Sequence, residues 1–224
     1  RSERMAALGQ LVAEITHEIK NPLMLIGGFA QQLSRVIDDE KNLKKVNIIA
    51  DEVKRLERLL ADLREFYLPK TIASEKVDIK ELLQEVFSLV KKDCKEKNIQ
   101  TELSIDKPGI LVTGDRGRLK QVFLNLFKNS MEAMEHGGIL SIETSLSGDH
   151  VEITVTDEGC GIPEQDKEKI FSPFFTTKSH GTGLGLCISK RIVEEHAGSS
   201  LTMKSEEGKG TSFNISLPVY HETP

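Results

Sequence analysis

Two apolar stripes with helical spacing near the start of the chain constrain its fold more than any other feature of the sequence. In each stripe, apolar residues recur every three or four positions, as in the helices of a coiled coil or bundle. The first consists of Met5, Leu8, Val12, Ile15, Ile19, Leu23 and Ile26, and the second of Leu43, Val46, Ile49, Val53, Leu56, Leu60 and Leu63. Asp38-Asp39-Glu40 separates them as a polar turn with acidic helix-start character. Residues 1–67 are therefore predicted to form a helical hairpin.

A hairpin of two such helices has little core of its own. The simplest way to bury its apolar surface is against a second copy, which predicts a homodimer with a four-helix bundle. The alternative is that the stripe packs against the rest of this chain.

The helical pattern breaks at Leu68-Pro69-Lys70, and residues 68–75 are predicted to be a linker. Residues 76–224 alternate between helical and strand patterns. Helices are expected at 79–90, 118–134 and 184–196, and strands at 100–105, 110–113, 139–146, 150–156, 201–204 and 212–217. This order predicts an α/β sandwich, a mixed sheet covered by helices, and an α+β chain overall.

The composition excludes several classes of protein. A net charge of −5 gives no overall basic surface for nucleic acid, and no apolar run approaches the ~18 residues of a membrane span. Cys94, Cys160 and Cys187 form neither a disulfide framework nor a zinc pattern, which suits a reducing compartment. Because the chain starts in helical sequence with Arg1, we expect a cytoplasmic piece of a longer protein, whether its parent is soluble or membrane-anchored.

His17 follows Ile15 by two positions, about 200° around a helix, so it is predicted to face solvent. An exposed histidine is most often an ordinary surface residue, but its neighbours are suggestive. Glu18 can accept a proton or hold the imidazole tautomer, and the amide of Asn21 lies one turn away, where it could orient a water. Pro22 cannot donate a backbone hydrogen bond, so a bend or loosening is expected beside His17, with a tolerated proline as the alternative.

A glycine-rich segment, Gly181-Thr182-Gly183-Leu184-Gly185-Leu186, precedes a predicted helix. Glycines permit close backbone approach, and a helix N-terminus favours anions, so this segment suits phosphate. It does not follow a buried strand, which a dinucleotide-binding fingerprint requires, and the chain has no P-loop sequence.

Asp157 ends a predicted strand and is followed by Gly159 and Gly161. Its carboxylate could accept the adenine amino hydrogen, although a plain acidic turn would have the same sequence.

Asn125 and Asn129 lie four residues apart on one face of a predicted helix. Neutral oxygen ligands there suit a Mg²⁺ ion shared with phosphates. Lys128 and Lys178 could balance phosphate charge, although either lysine alone is more often a solvated surface residue.

In their order along the chain, these segments resemble the five sequence boxes of sensor histidine kinases of two-component systems. The resemblance covers nearly the whole chain. The H box resembles residues 13–22, the N box residues 121–130, the G1 box residues 157–163, the F box residues 170–178 and the G2 box residues 181–186.

The resemblance implies a dimerisation and histidine-phosphotransfer hairpin, followed by an ATP-binding domain of the kind shared with gyrase, Hsp90 and MutL. It implies that His17 accepts the phosphoryl group of ATP, that Glu18 assists as a base, and that Asn21 can orient water when a partner is dephosphorylated. The phosphoryl group would then pass to an aspartate of a response-regulator receiver domain. It is left open whether ATP phosphorylates His17 of its own protomer or His17 of the partner protomer.

In the ATP domain, the resemblance implies that Asn129 holds Mg²⁺, that Asp157 reads adenine and that Thr211 supports the adenine site. Asn125 stands where the ATPase relatives have a glutamate that activates water, which fits transfer to a side chain. The residues expected around ATP are Asn125, Lys128, Asn129, Asp157, Gly159, Gly161, Ile162, Phe174, Thr177, Lys178, Gly181, Thr182, Gly183, Leu184, Gly185, Leu186 and Thr211.

Only Ser179 and His180 separate Lys178 from Gly181, so the lid over the nucleotide is short. It resembles the lids of nitrogen-regulation type kinases and is expected to exchange ATP quickly. Two other functions remain as alternatives: an ATPase of the gyrase/Hsp90 type, and a nucleotide-binding scaffold without catalysis.

Overall fold

The structure is a computed structural model that describes residues 2–67, 73–178 and 181–221, with the backbone alone for residues 2–11, 13 and 14. The chain divides into two units, described separately below. Within the described ranges, the first unit consists of residues 2–67 with 173–178 and 181–184, and the second of residues 73–172 and 185–221. No helix in these ranges is both long enough and apolar enough to cross a membrane.

The predicted helical hairpin is confirmed. Helix α1 spans Ser2–Ser34 and continues through Pro22, and helix α2 spans Glu40–Tyr67. The connecting turn contains the acidic residues expected there. The Asp39 carboxylate Oδ1 accepts a hydrogen bond from the backbone N–H of Asn42 at 2.8 Å, which satisfies one of the free donors in the first turn of α2.

The two helices pack through small and branched side chains spaced seven residues apart. On α1 the buried residues include Thr16, Leu23 and Ala30, and on α2 they are Val46, Val53 and Leu60. Gly27 lets the helices approach closely, since a Cβ there would lie 3.1 Å from Cγ1 of Val53.

The first predicted stripe divides between two faces of α1. Leu23 packs inside the hairpin, whereas Ile15, Ile19 and Ile26 keep 52%, 42% and 47% of their surface exposed. They belong to a heptad-spaced series, here called the outer apolar face: Ile15, Ile19, Ile26, Phe29 and Leu33 of α1, and Val36 just after its end. Met5 and Leu8 lie among the residues whose side chains the structure does not describe.

The second unit alternates helices and strands much as predicted. Its elements are β1 (Glu75–Asp78), α3 (Ile79–Glu96), β2 (Ile99–Ile105), β3 (Leu111–Gly114), α4 (Arg116–Ala133), β4 (Gly138–Ser147), β5 (His150–Asp157), α5 (Glu164–Lys167), α6 (Gly185–Glu195), β6 (Ser200–Glu206) and β7 (Gly210–Pro218).

Five strands form a mixed sheet in the order β2-β4-β5-β7-β6, in which only β2 and β4 pair in parallel. Strand β3 was expected in this sheet but instead pairs with β1 in a separate antiparallel ladder. Strand β1 was not predicted from the sequence, because four residues are too few for a strand pattern to stand out.

Helix α4 packs against both α3 and α6, and these helices cover one face of the sheet. Strand β5 alternates strictly, so Val151, Ile153 and Val155 are buried on one face. Asp157 is the next residue of that buried series. The apolar alternation of β5 thus brings a carboxylate into the interior.

Polar contacts hold the N-terminal end of α4 against the C-terminal end of α6. The buried His196 accepts a hydrogen bond at Nε2 from the backbone N–H of Asp115, 3.0 Å away, and donates from Nδ1 to the carbonyl of Ile192 at 2.7 Å. Arg118 and Glu195 form an ion pair at 3.3 Å beside it. Asp115 caps α4 by accepting from the N–H of Arg118 at 3.0 Å.

The cap makes part of the stability pH-dependent. Partial burial raises the pKa of the Asp115 carboxyl, but hydrogen bonds from backbone N–H groups, including those of Arg118 and Ala73, outweigh it and hold the pKa below its ordinary 3.8. The stabilisation is present above the ordinary pKa and is lost as the pH falls through the lower folded-state value.

We expect Asp115→Asn to lower the free energy of unfolding most at neutral pH. Urea unfolding across a pH series measures this, and a difference that does not shrink below about pH 4 contradicts it.

Candidate functional site

The buried Asp157 carboxylate connects three segments that are distant in sequence. Only 2% of the residue's surface is exposed. Oδ2 accepts a hydrogen bond from the Ser130 hydroxyl of α4 at 2.8 Å. Oδ1 accepts from the backbone N–H groups of Gly159 at 3.0 Å and Thr211, at the start of β7, at 3.2 Å. These donors favour the ionised carboxylate and fix its plane.

The loop that follows Asp157, residues 158–163, is here called the G1 loop. Cys160 donates its backbone N–H to the Ala133 carbonyl at 3.1 Å, and Gly208 donates to the Cys160 carbonyl at 2.8 Å. Gly161 has a φ of +69°, and a Cβ there would overlap the Glu206 carbonyl. The loop therefore lies between the end of α4 and the β6–β7 turn, and glycine is required for it to fit.

An open cavity of about 320 Å³ lies beside this loop. Its lining residues come from the ends of β5, β6 and β7: Thr156, Asp157, Lys204, Ser205, Glu206, Lys209, Gly210, Thr211 and Ser212. The lining thus combines the buried Asp157 carboxylate and several hydroxyl groups with the charged side chains of Lys204, Glu206 and Lys209, a set that suits a polar ligand.

Asn125 lies on the side of α4 that meets α6. Asn125 donates from Nδ2 to the hydroxyl of Ser189 at 2.9 Å, and its Oδ1 packs against Gly185, the first residue of α6, where a Cβ would overlap it. Asn129 is half-buried one turn further and directly precedes Ser130. Helix α4 therefore carries the asparagines and the Ser130 partner of Asp157. The amide oxygen of Asn129 fits Mg²⁺, which takes few protein ligands when it is shared with phosphates.

The structure does not bring Lys128 into this group. Lys128 lines a separate groove between α3 and α4, together with Leu124, Met131 and the exposed Leu89. In the helix it is about 100° around from Asn129, so the two side chains leave different faces of α4.

Residues 173–178 of the F-box segment and 181–184 of the G2-box segment belong to the first unit. Phe174 is exposed and has a φ of 65°, and Gly183 has a φ of +67°. A Cβ on Gly183 would lie 2.7 Å from the Phe174 carbonyl oxygen, so the two ends of this segment meet through backbone.

Within the same segment, Lys178 donates its N–H to the Thr176 hydroxyl at 3.1 Å, and a Cβ on Gly181 would overlap that hydroxyl. Thr182 donates its hydroxyl to Asp62 of α2 at 2.6 Å. Thr177 and Lys178 are exposed, whereas Leu184 is buried.

The remaining predicted residues belong to the second unit. Helix α6 begins at Gly185, and both Leu186 in this helix and Ile162 in the G1 loop are half-buried. The predicted lid residues, Ser179 and His180, lie outside the described residues.

His17 is exposed on α1, as predicted from its helical phase. Its neighbour Thr16 is buried inside the hairpin, and Glu18 and Asn21 are exposed like His17. An imidazole, a carboxylate and an amide therefore meet solvent within one turn of a single helix.

Two serines at the site, Ser130 and Ser205, were not predicted from the sequence. Ser130 donates to Asp157, and Ser205 of β6 accepts from the N–H of Ile162 at 2.8 Å. A serine within a helix or a strand carries no local signal of its partner. Both contacts depend on which faces of distant elements meet.

Two domain families match the chain. Residues 7–68 match the His Kinase A (phospho-acceptor) domain, and residues 114–221 match the family described as histidine kinase-, DNA gyrase B-, and HSP90-like ATPase. His17 lies in the first match, and Asp157, Asn125 and Asn129 lie in the second.

Curated relatives that match this chain across both of these segments are kinases. The chain is 37% identical over 219 residues to sporulation kinase C of Bacillus subtilis (strain 168), covering 97% of this chain and 50% of the relative. It is 38% identical over 220 residues to the sensor histidine kinase ZraS of Escherichia coli (strain K12), covering 98% of this chain and 47% of the relative. The chain thus spans about half the length of these relatives.

Solved structures of histidine kinases are also similar to this chain. The catalytic domain of histidine kinase ThkA, in a nucleotide-free form, is 37% identical with a TM-score of 0.60, and the match covers 65% of this chain and 95% of that domain. ThkA in complex with the response regulator protein TrrA matches with 35% identity and a TM-score of 0.73, over 100% of this chain and 65% of that chain. Full-length ShkA in complex with AMPPNP matches with 26% identity and a TM-score of 0.79, over 96% of this chain and 47% of that chain. The chain belongs to the histidine kinase family and matches a sensor histidine kinase catalytic core.

The Ser130–Asp157 contact predicts a stability effect. Ser130→Ala removes a donor from a buried carboxylate, and we expect it to lower the free energy of unfolding by about 1–3 kcal/mol, measured by urea unfolding. Ser88→Ala is the matched control, because the Ser88 hydroxyl donates to the Glu85 carbonyl of the same helix at 2.7 Å on the surface. We expect less than about 0.5 kcal/mol there, and equal losses from the two variants would contradict a special role for Ser130.

Proposed function

We propose that this chain is the working core of a protein-histidine kinase that transfers the γ-phosphoryl group of Mg-ATP to His17 and then to an aspartate of a response-regulator receiver domain. The observation that carries the proposal is the pairing, in one chain, of an exposed His17 in a phospho-acceptor hairpin with a buried Asp157 carboxylate in an ATPase-type domain. The match to ShkA bound to AMPPNP supports ATP as the donor.

Asp157 is proposed to recognise the adenine base. Its carboxylate lines the 320 Å³ cavity and is held in one orientation by Ser130, Gly159 and Thr211. Carboxylate oxygens accept more than one hydrogen bond each, and the 6-amino group of adenine is a donor. Because the carboxylate is fixed before binding, little orientational freedom is lost when the base enters.

Residues of α4 and the first turn of α6 are proposed to face the phosphates. The amide oxygen of Asn129 would hold Mg²⁺, which neutralises phosphate charge when bound. The N-terminal N–H groups of α6, which begins at Gly185, favour anions. Asn125 has no basic atom that could take a proton from water, which favours transfer to a side chain over hydrolysis.

At the acceptor, a ring nitrogen of neutral His17 would attack the γ-phosphorus. A nitrogen–phosphorus bond forms, the bond from phosphorus to the bridging oxygen breaks, and ADP leaves with that electron pair. The adjacent Glu18 is proposed to take the imidazole proton. Asn21, one turn away, is proposed to orient a water when the partner's phosphoaspartate is hydrolysed.

The response-regulator partner is supported by the structural match to the ThkA complex with TrrA. Met24 and Leu25 lie two turns after His17 on the same side of α1 and are 50% and 64% exposed. An exposed apolar pair beside the acceptor suits a protein partner that must approach His17 closely.

We also propose that the two-residue spacing between Lys178 and Gly181 gives a short lid and fast ATP exchange.

We further propose that the outer apolar face is the dimer interface. Its six residues follow heptad spacing and stay exposed in the single chain. A second copy would bury them as the a and d positions of a four-helix bundle.

The acceptor role of His17 gives a direct prediction. With γ-labelled ATP and Mg²⁺, the wild type should gain acid-labile label, and His17→Gln should gain none. His136→Gln is the matched control, because His136 is exposed in the second unit and belongs to no proposed site. Label that persists in His17→Gln would remove His17 from the mechanism. Release of free phosphate without labelled protein would indicate the gyrase-type ATPase instead, and nucleotide binding with neither would indicate a scaffold.

The dimer interface gives a second prediction. Ile26→Glu places a charge on the outer apolar face, and we expect the molecular mass from sedimentation equilibrium to fall from two chains to one. Gln31→Glu adds the same charge at an exposed polar position of α1 and should leave the dimer intact. A variant Ile26→Glu that remains dimeric, or a monomeric wild type, would contradict the proposed interface.

A further inference from the structure

Ser205, near the end of β6, is bonded to three neighbours around the cavity. Its hydroxyl donates to the Gly210 carbonyl at 2.9 Å. It accepts from the backbone N–H of Ile162 in the G1 loop at 2.8 Å. Its oxygen also lies 3.0 Å from the hydroxyl oxygen of Thr211. One hydroxyl thus joins the G1 loop to the start of β7.

The protons at this junction can be assigned. A serine hydroxyl has a single hydrogen, and here the Gly210 carbonyl takes it. In the contact with Thr211, Ser205 is therefore the acceptor and the Thr211 hydroxyl is the donor. Once its hydrogen points at Ser205, the Thr211 oxygen has only lone pairs to offer to a ligand.

Both groups line the cavity together with the Asp157 carboxylate. Thr211 is buried, and its backbone N–H donates to Asp157 Oδ1 at 3.2 Å, so the two side chains are held in a fixed relation. Carboxylate oxygens are acceptors only. Asp157 and Thr211 thus present acceptor oxygens side by side in the cavity lining.

We infer that Ser205 is a positioning residue that sets base specificity: by holding the Thr211 hydroxyl hydrogen, it keeps this edge acceptor-only and selects a 6-amino purine over a 6-oxo purine. The inference rests on the proposed binding of ATP through Asp157. In the inferred pose both acceptors meet position 6, and N1 lies outside this contact. A 6-amino group there supplies a hydrogen to each acceptor, whereas a 6-oxo group presents an oxygen to both, and the unmatched acceptors cost binding energy.

Removing the Ser205 hydroxyl should change specificity and not only affinity. In Ser205→Ala, the Thr211 hydroxyl can rotate and offer its hydrogen to the ligand, which a 6-oxo oxygen can accept. The N–H of Ile162 loses its acceptor at the same time, so the G1 loop is held less firmly. The first effect favours 6-oxo purines relative to adenine, and the second weakens both.

The test compares ATP with ITP, in which an oxygen replaces the 6-amino group and N1 carries a hydrogen. Dissociation constants are measured by calorimetry in a His17→Gln background, where no phosphoryl group can be transferred to His17. We expect the parent to bind ATP more tightly than ITP, and Ser205→Ala to reduce the ATP:ITP affinity ratio about tenfold, the equivalent of one hydrogen bond of about 1.4 kcal/mol. Ser205→Thr keeps the hydroxyl and should restore the ratio.

Ser216→Ala is the matched control. The Ser216 hydroxyl, on the neighbouring strand β7, donates to Glu152 at 2.6 Å, away from the cavity lining. This variant loses a serine hydrogen bond from the same sheet and should leave the ratio unchanged.

Three outcomes overturn the inference. The first is an unchanged ATP:ITP affinity ratio in a Ser205→Ala variant whose circular dichroism melt shows that it is folded. The second is a Ser205→Thr variant that does not restore the ratio. The third is a Ser216→Ala variant in which the ratio falls as much as in Ser205→Ala. If Ser205→Ala does not fold, Ser205→Cys, with a thiol of similar size and weaker hydrogen bonding, is judged by the same ratio. A parent protein that binds neither nucleotide contradicts the proposed function itself, which separates the two failures.

Discussion

The hydrogen-bonded Asp157 carboxylate is the interaction on which the second unit depends. The strict alternation of β5 places it on the same face as Val151, Ile153 and Val155, where an unbonded charge would cost several kcal/mol. Its donors come from α4, the G1 loop and β7. Each of these donors offsets part of the cost of burying the charge, so the contacts that stabilise the core also fix the orientation of the carboxylate in the site.

Helix α4 extends this arrangement from the base to the phosphates. Ser130 contacts the carboxylate, Asn129 directly precedes it, and Asn125 lies one turn earlier, where it bonds to Ser189 of α6. A nucleotide that enters beside Asp157 would therefore meet side chains whose spacing is set by one rigid helix. Rigid support of this kind suits phosphoryl transfer, in which the protein contributes mainly position and charge.

Local periodicity explains what the sequence predicts well. Spacing by threes and fours identifies the hairpin and the exposure of His17, and the glycines around Asp157 mark a backbone that must approach its neighbours closely. The parts that escape prediction depend on tertiary contacts. Ser130 and Ser205 have partners distant in sequence, β3 pairs with the short β1, and Lys128 lies on the α3 side of α4 although Asn129 is adjacent in sequence.

We propose that the Asp157 carboxylate binds the amino group of adenine. An NMR spectrum of the protein saturated with Mg-ATP that carries ¹⁵N at the 6-amino nitrogen tests this contact. We expect amino protons that are shifted downfield, exchange slowly with water and show nuclear Overhauser contacts to the Ser130 and Thr211 protons. Amino protons that exchange with water at the rate of free ATP would contradict the claim.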